Sequence, residues 1–157
     1  MRTKLFIIAV YLVTATVYAD FTGIVVKVYD ADTITVNSDT TIYKVRLYGI
    51  DAPEKAQAYG VEATAALSDR ILGRTVTVIE RGTDQYRRVI GVVMLGAVDI
   101  NLELLQKGLA WCYRQYNRTP AYIVAEEAAR VKKVGLWGTT EPQAPWEYRK
   151  AMKNVRK

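Results

Sequence analysis

Five short segments with the alternating, β-branched pattern of strands most constrain how this chain can fold. The segments are residues 23–29, 33–36, 42–48, 75–80 and 89–95. Asp30-Ala31-Asp32 and Asn37-Ser38-Asp39 predict tight turns between the first three, which then form a meander. Five short strands with inserted helices indicate a small closed or partly closed barrel. This pattern is compatible with the OB type, which commonly binds oligonucleotides on one face.

Helices are predicted between and after these strands. They cover residues 61–72, 102–107 and 120 to about 134. Gly73 is placed to cap the end of the first helix, Asn101 to cap the start of the second, and Thr119-Pro120 to open the third. The 157 residues suit one domain with one hydrophobic core. The predicted fold is α+β and mainly β, with a five-stranded OB-fold barrel and about three helices.

The first 19 residues have the pattern of a secretory signal peptide. Arg2 and Lys4 give a positive start, an apolar run covers residues 5–13, and small residues lead to Ala19. The run is short for a transmembrane helix of about 20 residues, and no cysteine follows to carry a lipid anchor. We expect cleavage before Asp20, export to the periplasm or the medium, and no stable membrane anchor. The alternatives are an uncleaved anchor and a buried first helix.

The composition excludes several classes of hydrolase because the chain has no histidine. Serine–histidine hydrolysis, histidine-based ribonuclease chemistry and most zinc hydrolase sites are thereby removed. Catalysis would need Asp, Glu, Lys, Arg, Tyr or a metal, and oxygen ligands favour calcium, magnesium or manganese. The formal charge of +6 favours a polyanionic partner, either nucleic acid or an anionic membrane surface. The single cysteine, Cys112, excludes an intramolecular disulfide and is expected to be buried and inert.

Three short stretches combine carboxylates with arginines. They are Asp30-Ala31-Asp32-Thr33, residues 46–54 (Arg-Leu-Tyr-Gly-Ile-Asp-Ala-Pro-Glu) and residues 83–88 (Thr-Asp-Gln-Tyr-Arg-Arg). Taken alone, the first is an ordinary Asx turn and the last a solvated basic turn. Taken together, they supply two carboxylates and a carbonyl for a hard cation, a glutamate for water, and two arginines for phosphate. Metal-assisted phosphodiester hydrolysis requires this combination.

From about residue 22 to residue 137, the chain resembles the staphylococcal (thermonuclease-like) nuclease family. The motifs that carry the resemblance are the three stretches above, Gly108-Leu109-Ala110-Trp111 and Gly135-Leu136-Trp137. The resemblance implies a nuclease domain at residues 20–138, calcium dependence in preference to magnesium or manganese, and cleavage of DNA and RNA. Residues 139–157 are predicted to be a basic, proline-containing tail. We expect a monomer with no obligate protein partner.

The resemblance also implies which residues hold the metal. Asp32 and Asp51 match the metal-binding carboxylates of the family. Ala52 matches the position that offers its backbone carbonyl, so its side chain matters little. Asp30 falls beside the metal site, in a position to support the ligands rather than to bind directly.

The catalytic residues follow from the same correspondence. Glu54 matches the glutamate that is assigned as general base or water-positioning group, and Arg46 and Arg88 match the two phosphate-binding arginines. The family usually reads Asp-x-Tyr-Gly-Arg around the second arginine, whereas this chain has Asp84-Gln85-Tyr86-Arg87-Arg88. Register favours Arg88, but a loop shifted by the loss of glycine would present Arg87 instead.

Aromatic residues near these motifs have two readings. Tyr86, Tyr113 and Tyr116 can stack on or border a base, because aromatic faces accept any base. They can equally well pack at the barrel rim. The three tryptophans are interpreted as packing residues. The alternative function is a non-catalytic nucleic-acid-binding OB-fold domain, against which the retained carboxylates and arginines favour an enzyme.

Overall fold

The computed structural model describes residues 19–39 and 41–155, and within them it forms eight strands and four α-helices. The strands are β1 (Phe21–Asp30), β2 (Thr33–Ser38), β3 (Thr41–Leu47), β4 (Ile50–Asp51), β5 (Thr75–Thr83), β6 (Val89–Leu95), β7 (Val98–Asp99) and β8 (Trp111–Cys112). The helices are α1 (Gly60–Ile71), α2 (Ile100–Gln106), α3 (Pro120–Val131) and α4 (Pro145–Val155), and a 3-10 turn covers Gly135–Gly138. The predicted signal peptide falls outside the described residues except for Ala19.

Five of the strands close into a mixed barrel. Antiparallel pairs join β1 to β2, β2 to β3, β1 to β5 and β5 to β6. A parallel pairing of β3 with β6, with Val45 opposite Val89, closes the ring. The prediction of a five-stranded barrel of α+β class is confirmed, and its strand order is consistent with the OB-fold.

The core fills the barrel and the space between the barrel and its helices. Helix α1 contributes Ala63, Leu67 and Ile71, which recur every four residues and therefore share one face. The barrel strands contribute buried aliphatic side chains, among them Val25, Ile34, Val36, Val45, Leu47, Val78 and Val93. Full burial of each such side chain is worth about 1.5–3 kcal/mol, so this core holds the rim residues in place.

The second helix begins earlier than the sequence predicts, and its cap is a different residue. The Asp99 side chain accepts a hydrogen bond from the Leu102 amide at 2.9 Å and caps the helix, so the prediction of Asn101 as cap is wrong. Asn101 lies inside the helix and is fully buried. Its amide oxygen accepts from the Val93 backbone at 3.1 Å, and its nitrogen donates to the Tyr48 carbonyl at 2.9 Å. Asn101 therefore ties β6 to the end of β3.

The region predicted as a tail with little periodicity contains a fourth helix, α4. Pro145 opens it, as proline favours a first helical turn, and the Ala144 carbonyl accepts from the amides of Glu147 and Tyr148. Pro145 is the one buried residue of this helix, Trp146, Tyr148 and Arg149 are half-buried, and residues 150–155 are exposed, so no repeating apolar pattern marks the helix. Among the described helices, none combines the length and apolar character needed to cross a membrane.

Candidate functional site

Asp32 and Asp51 lie together at one end of the barrel. Asp32 ends the β1–β2 turn and Asp51 ends the two-residue strand β4; their exposed fractions are 5% and 0%. Arg46, near the end of β3, forms an ion pair with Asp32 and donates from Nη2 to Asp51 Oδ1 at 2.7 Å. Because buried charges must be paired, this shared guanidinium holds two carboxylates that would otherwise repel each other.

Two residues singled out in the sequence, Ala52 and Asp30, lie beside Asp32. The Ala52 amide donates to Asp32 Oδ2 at 2.7 Å, which places the Ala52 backbone against the Asp32 carboxylate. Asp30 accepts from the Asp32 amide at 3.2 Å and so lies beside the site without joining it. Two buried carboxylates and neighbouring backbone oxygens are hard donors that suit calcium or magnesium. Within the described residues, no three acidic, histidine or cysteine side chains group closely enough to hold a metal by themselves.

Glu54 lies near Asp51, and both carboxylates accept hydrogen bonds from one arginine, Arg149. This contact was not predicted from the sequence. Arg149 of α4 donates from Nη2 to Asp51 Oδ2 at 2.7 Å and from Nη1 to Glu54 Oε1 at 2.9 Å. Hydrogen bonds to Asp51 raise the pKa of Arg149 above its ordinary value, although burial opposes the shift. The Glu54 side chain is 38% exposed, which leaves it accessible to water and substrate. Two aromatic residues just before Arg149, Trp146 and Tyr148, are the sequence feature that could have predicted a helix packed against the barrel here.

The second predicted arginine, Arg88, reaches the same end of the barrel. Its Nε donates to Asp84 Oδ2 at 2.7 Å, and its Nη1 lies 3.5 Å from the Thr33 hydroxyl, beside Asp32. Arg87 adopts a φ of 61°, in the left-handed region that favours glycine, and its side chain is exposed. The backbone thus keeps the turn that a glycine would make.

Asp84 maintains the shape of this loop. Its Oδ1 accepts from the amides of Tyr86 at 2.9 Å and Arg88 at 3.0 Å. Burial alone would raise the pKa of Asp84, but the hydrogen bonds from Arg88 and Tyr86 lower it overall. Asp84 therefore stays ionised at neutral pH and fixes Arg88 through both backbone and side chain.

The three candidate tyrosines differ in how far they are available to a ligand. Tyr86 and Tyr116 are 71% and 63% exposed, and the Arg88 guanidinium lies 5.5 Å from the Tyr86 ring. The Tyr113 ring stacks on the Trp146 ring, with centroids 5.5 Å apart and planes at 10°. Tyr113 is therefore packed by α4, whereas the other two rings face solvent.

The tryptophans pack against other residues, as expected, and two of them, Trp111 and Trp137, lie against Arg130. Trp111 meets Trp137 edge-on at 4.5 Å, and the Arg130 guanidinium lies 3.7 Å from the Trp137 ring centroid. Cys112, in β8, is buried, and burial together with the charge of Glu126 raises its pKa to about 11, which keeps the thiol protonated and unreactive at neutral pH.

A buried glutamate, Glu126 of α3, connects this aromatic cluster to the site, and the sequence did not predict it. Glu126 is 1% exposed and accepts from the Cys112 amide at 3.2 Å, from Arg130 at 3.1 Å and from Arg114 at 3.0 Å. Cys112 and its neighbour Trp111 pair with Ile50 and Asp51 across β4 and β8. Glu126 thus supports the strand pair that carries Asp51.

The structure is thus a five-stranded barrel that carries buried carboxylates, a partly exposed glutamate and arginines together at one end. The chain belongs to the family described as staphylococcal nuclease homologue, which matches residues 44–139. An endonuclease of Haemophilus influenzae, itself described as uncharacterized, is 41% identical over 130 residues, 82% of this chain and 73% of that protein. The micrococcal nuclease of Shigella flexneri is 38% identical over 157 residues, with 93% and 90% covered. Protein ParB of Escherichia coli is 37% identical over 160 residues, with 95% and 90% covered.

Proposed function

We propose that this nuclease is a calcium-dependent endonuclease that hydrolyses DNA and RNA with little sequence specificity. Membership of the staphylococcal nuclease family and the names of the relatives support a nuclease. The observation that carries the proposal is the pair Asp32 and Asp51, buried side by side on one guanidinium of Arg46. Buried carboxylates are retained only where charge partners offset their desolvation, and such clusters of buried charge are concentrated at functional sites.

The residues of the site divide the reaction among them. Asp32, Asp51 and the Ala52 carbonyl would hold the cation, which when bound lowers the pKa of water and offsets charge on the phosphate. Glu54 would orient the attacking water or accept its proton, since its carboxylate lies beside Asp51 and is partly exposed. Arg46 and Arg88 would bind the phosphate oxygens and stabilise the charge that develops on them.

Substrate binding would rest on charge and stacking rather than on reading bases. The net charge, which is +6 for the whole chain and +4 once residues 1–19 with Arg2 and Lys4 are removed, attracts a polyanion, and the exposed rings of Tyr86 and Tyr116 can stack on bases of any sequence. Trp146 covers one face of the Tyr113 ring, so Tyr113 offers a base less surface than the other two tyrosines do. We expect the protein to act as a monomer without an obligate protein partner.

Digestion of plasmid DNA and of an RNA transcript tests this function. With calcium, we expect supercoiled plasmid to be nicked and then fragmented and the RNA to be degraded, and excess chelator should stop both reactions. Glu54→Gln is the matched variant, since it removes the acid–base group and leaves Asp32 and Asp51 in place. Intact nucleic acid under every condition, with binding retained, would instead indicate the non-catalytic binding domain.

We also propose that the protein is exported after removal of residues 1–19. The basic start, short apolar run and small residues before Asp20 support this proposal. N-terminal sequencing of the protein from the periplasm or medium should read Asp20-Phe21-Thr22. A mature protein that begins at Met1, or one found only in the membrane fraction, would contradict it.

A further inference from the structure

Helix α4 inserts an arginine among the residues that are proposed to bind the cation. The Arg149 guanidinium makes a fork on Asp51, with Nη1 at 3.2 Å from Oδ1 and Nη2 at 2.7 Å from Oδ2. Arg46 donates to the same Oδ1 at 2.7 Å. Both oxygens of Asp51 are therefore engaged by guanidinium groups, and Glu54 Oε1 is engaged by Arg149 as well.

The charges of the site show what this contact does. Asp32, Asp51 and Glu54 carry three negative charges, and Arg46 with Arg149 supplies two positive ones. Asp30 and Arg88, whose charges also act on Arg46, have opposite signs and leave this balance unchanged. Without Arg149, the group would carry two net negative charges, which is the charge that a divalent cation neutralises. A cation on Asp51 would lie within a few ångströms of the Arg149 guanidinium, where like charges repel strongly in a partly buried site.

The rest of α4 is held by few contacts, so its release is feasible. Trp146 stacks on Tyr113 and meets Trp111 edge-on, with ring centroids 5.5 Å apart in both contacts, and the Tyr148 hydroxyl donates to the Ala56 carbonyl at 3.3 Å. Just before the helix, Gln57 donates to the Gln143 carbonyl at 2.6 Å. Residues 150–155 are exposed. The helix is thus attached to the nuclease domain mainly through its first turns, and Arg149 supplies its ionic contact there.

We propose that Arg149 is a further residue of the site that sets its cation affinity by occupying Asp51 and Glu54 in place of the cation. This inference rests on the proposed cation site. Cation binding would release Arg149, free Glu54 for water and loosen the stacking of Trp146 on Tyr113. If α4 is docked in about nine molecules of ten, the apparent Kd for calcium is raised about tenfold, because only the undocked fraction binds.

Calorimetric calcium titration of the full chain tests this competition without any measurement of activity. Arg149→Ala is expected to lower the Kd for calcium by about tenfold. Lys150→Ala, one residue along the same helix and exposed, removes the same charge from the surface and should leave the Kd unchanged. Trp146→Ala should shift the Kd in the same direction as Arg149→Ala, because it weakens docking without touching a carboxylate.

Hydrogen exchange provides a second readout on the unaltered protein. Calcium should accelerate amide exchange in α4 if its binding releases the helix. Unchanged calcium binding by Arg149→Ala would overturn the proposal. Weaker binding would also overturn it and would indicate that Arg149 positions the carboxylates for the cation. If Arg149→Ala fails to fold, Trp146→Ala decides by the same criterion. If neither the unaltered protein nor any variant binds calcium, the proposed calcium dependence falls as well.

Discussion

Arg88→Ala is expected to lower the rate of DNA cleavage by about 10²–10³-fold, the loss seen when one preorganised charge-stabilising donor is removed. Of the two arginines predicted to bind phosphate, Arg88 is the better one to substitute, because its removal should affect fewer other groups. Arg46 also neutralises buried Asp32 and Asp51, so its removal would change the metal site and the fold together. Arg88 instead pairs with Asp84, whose contact with the Arg88 backbone amide survives the substitution.

Arg87→Ala is the matched control for this experiment. Both arginines carry the same charge in the same loop, but the Arg87 side chain is exposed whereas Arg88 lies 3.5 Å from Thr33. In the left-handed backbone conformation of position 87, alanine is strained to about the same extent as arginine. The substitution should thus leave the shape of the loop unchanged. Cleavage by Arg87→Ala should therefore stay close to that of the unaltered protein. A larger loss for Arg87→Ala than for Arg88→Ala would reverse the assignment.

Glu126→Ala is expected to reduce the free energy of unfolding by about 2–4 kcal/mol, between the cost of one orphaned buried amide and that of a broken buried ion pair. The substitution leaves the Cys112 amide without an acceptor and removes the carboxylate that Arg130 and Arg114 share. The two arginines are partly exposed and can turn to water, which keeps the loss below the upper end for buried pairs. Denaturant unfolding measures the effect.

Glu127→Ala provides the comparison, because it removes the neighbouring carboxylate from the same helix. The Glu127 side chain is 56% exposed, and its contact with Arg114 is 3.3 Å long. Exposed ion pairs contribute about 0–1 kcal/mol, so the unfolding midpoint should hardly move. If the two variants lost equal amounts of unfolding free energy, burial would not be the reason that Glu126 stabilises the protein.

The barrel was predictable because its evidence is local. Alternating apolar residues mark each strand, and turns such as Asp30-Ala31-Asp32 mark the connections. The meeting of the three motifs was predictable because they lie at the ends of those strands, whereas the roles of the individual residues rest on the family resemblance. The barrel then brings Asp32 and Asp51 to a common arginine although they are distant in sequence.

The missed features depend on contacts that leave no local pattern. Arg149 meets Asp51 across 98 positions of sequence, and the helix that carries it has its buried residues confined to the first turns. Asn101 and Glu126 are polar residues in helices, where the expected position is the solvent face. Each is nevertheless buried, and each accepts a hydrogen bond from a backbone amide outside its own helix, that of Val93 or Cys112.

The parallel pairing of β3 with β6 determines when the two arginines that are proposed to bind phosphate come together. Arg46 is carried by β3, and Arg88 immediately precedes β6, with Val45 opposite Val89. These strands are remote in the chain, and contacts between remote segments are the slower ones to form in folding. The early meander of β1, β2 and β3 contains Arg46 but not its counterpart. The two arginines therefore come together only when β3 and β6 have paired. A chain in which this pairing has not formed would lack the proposed phosphate-binding pair.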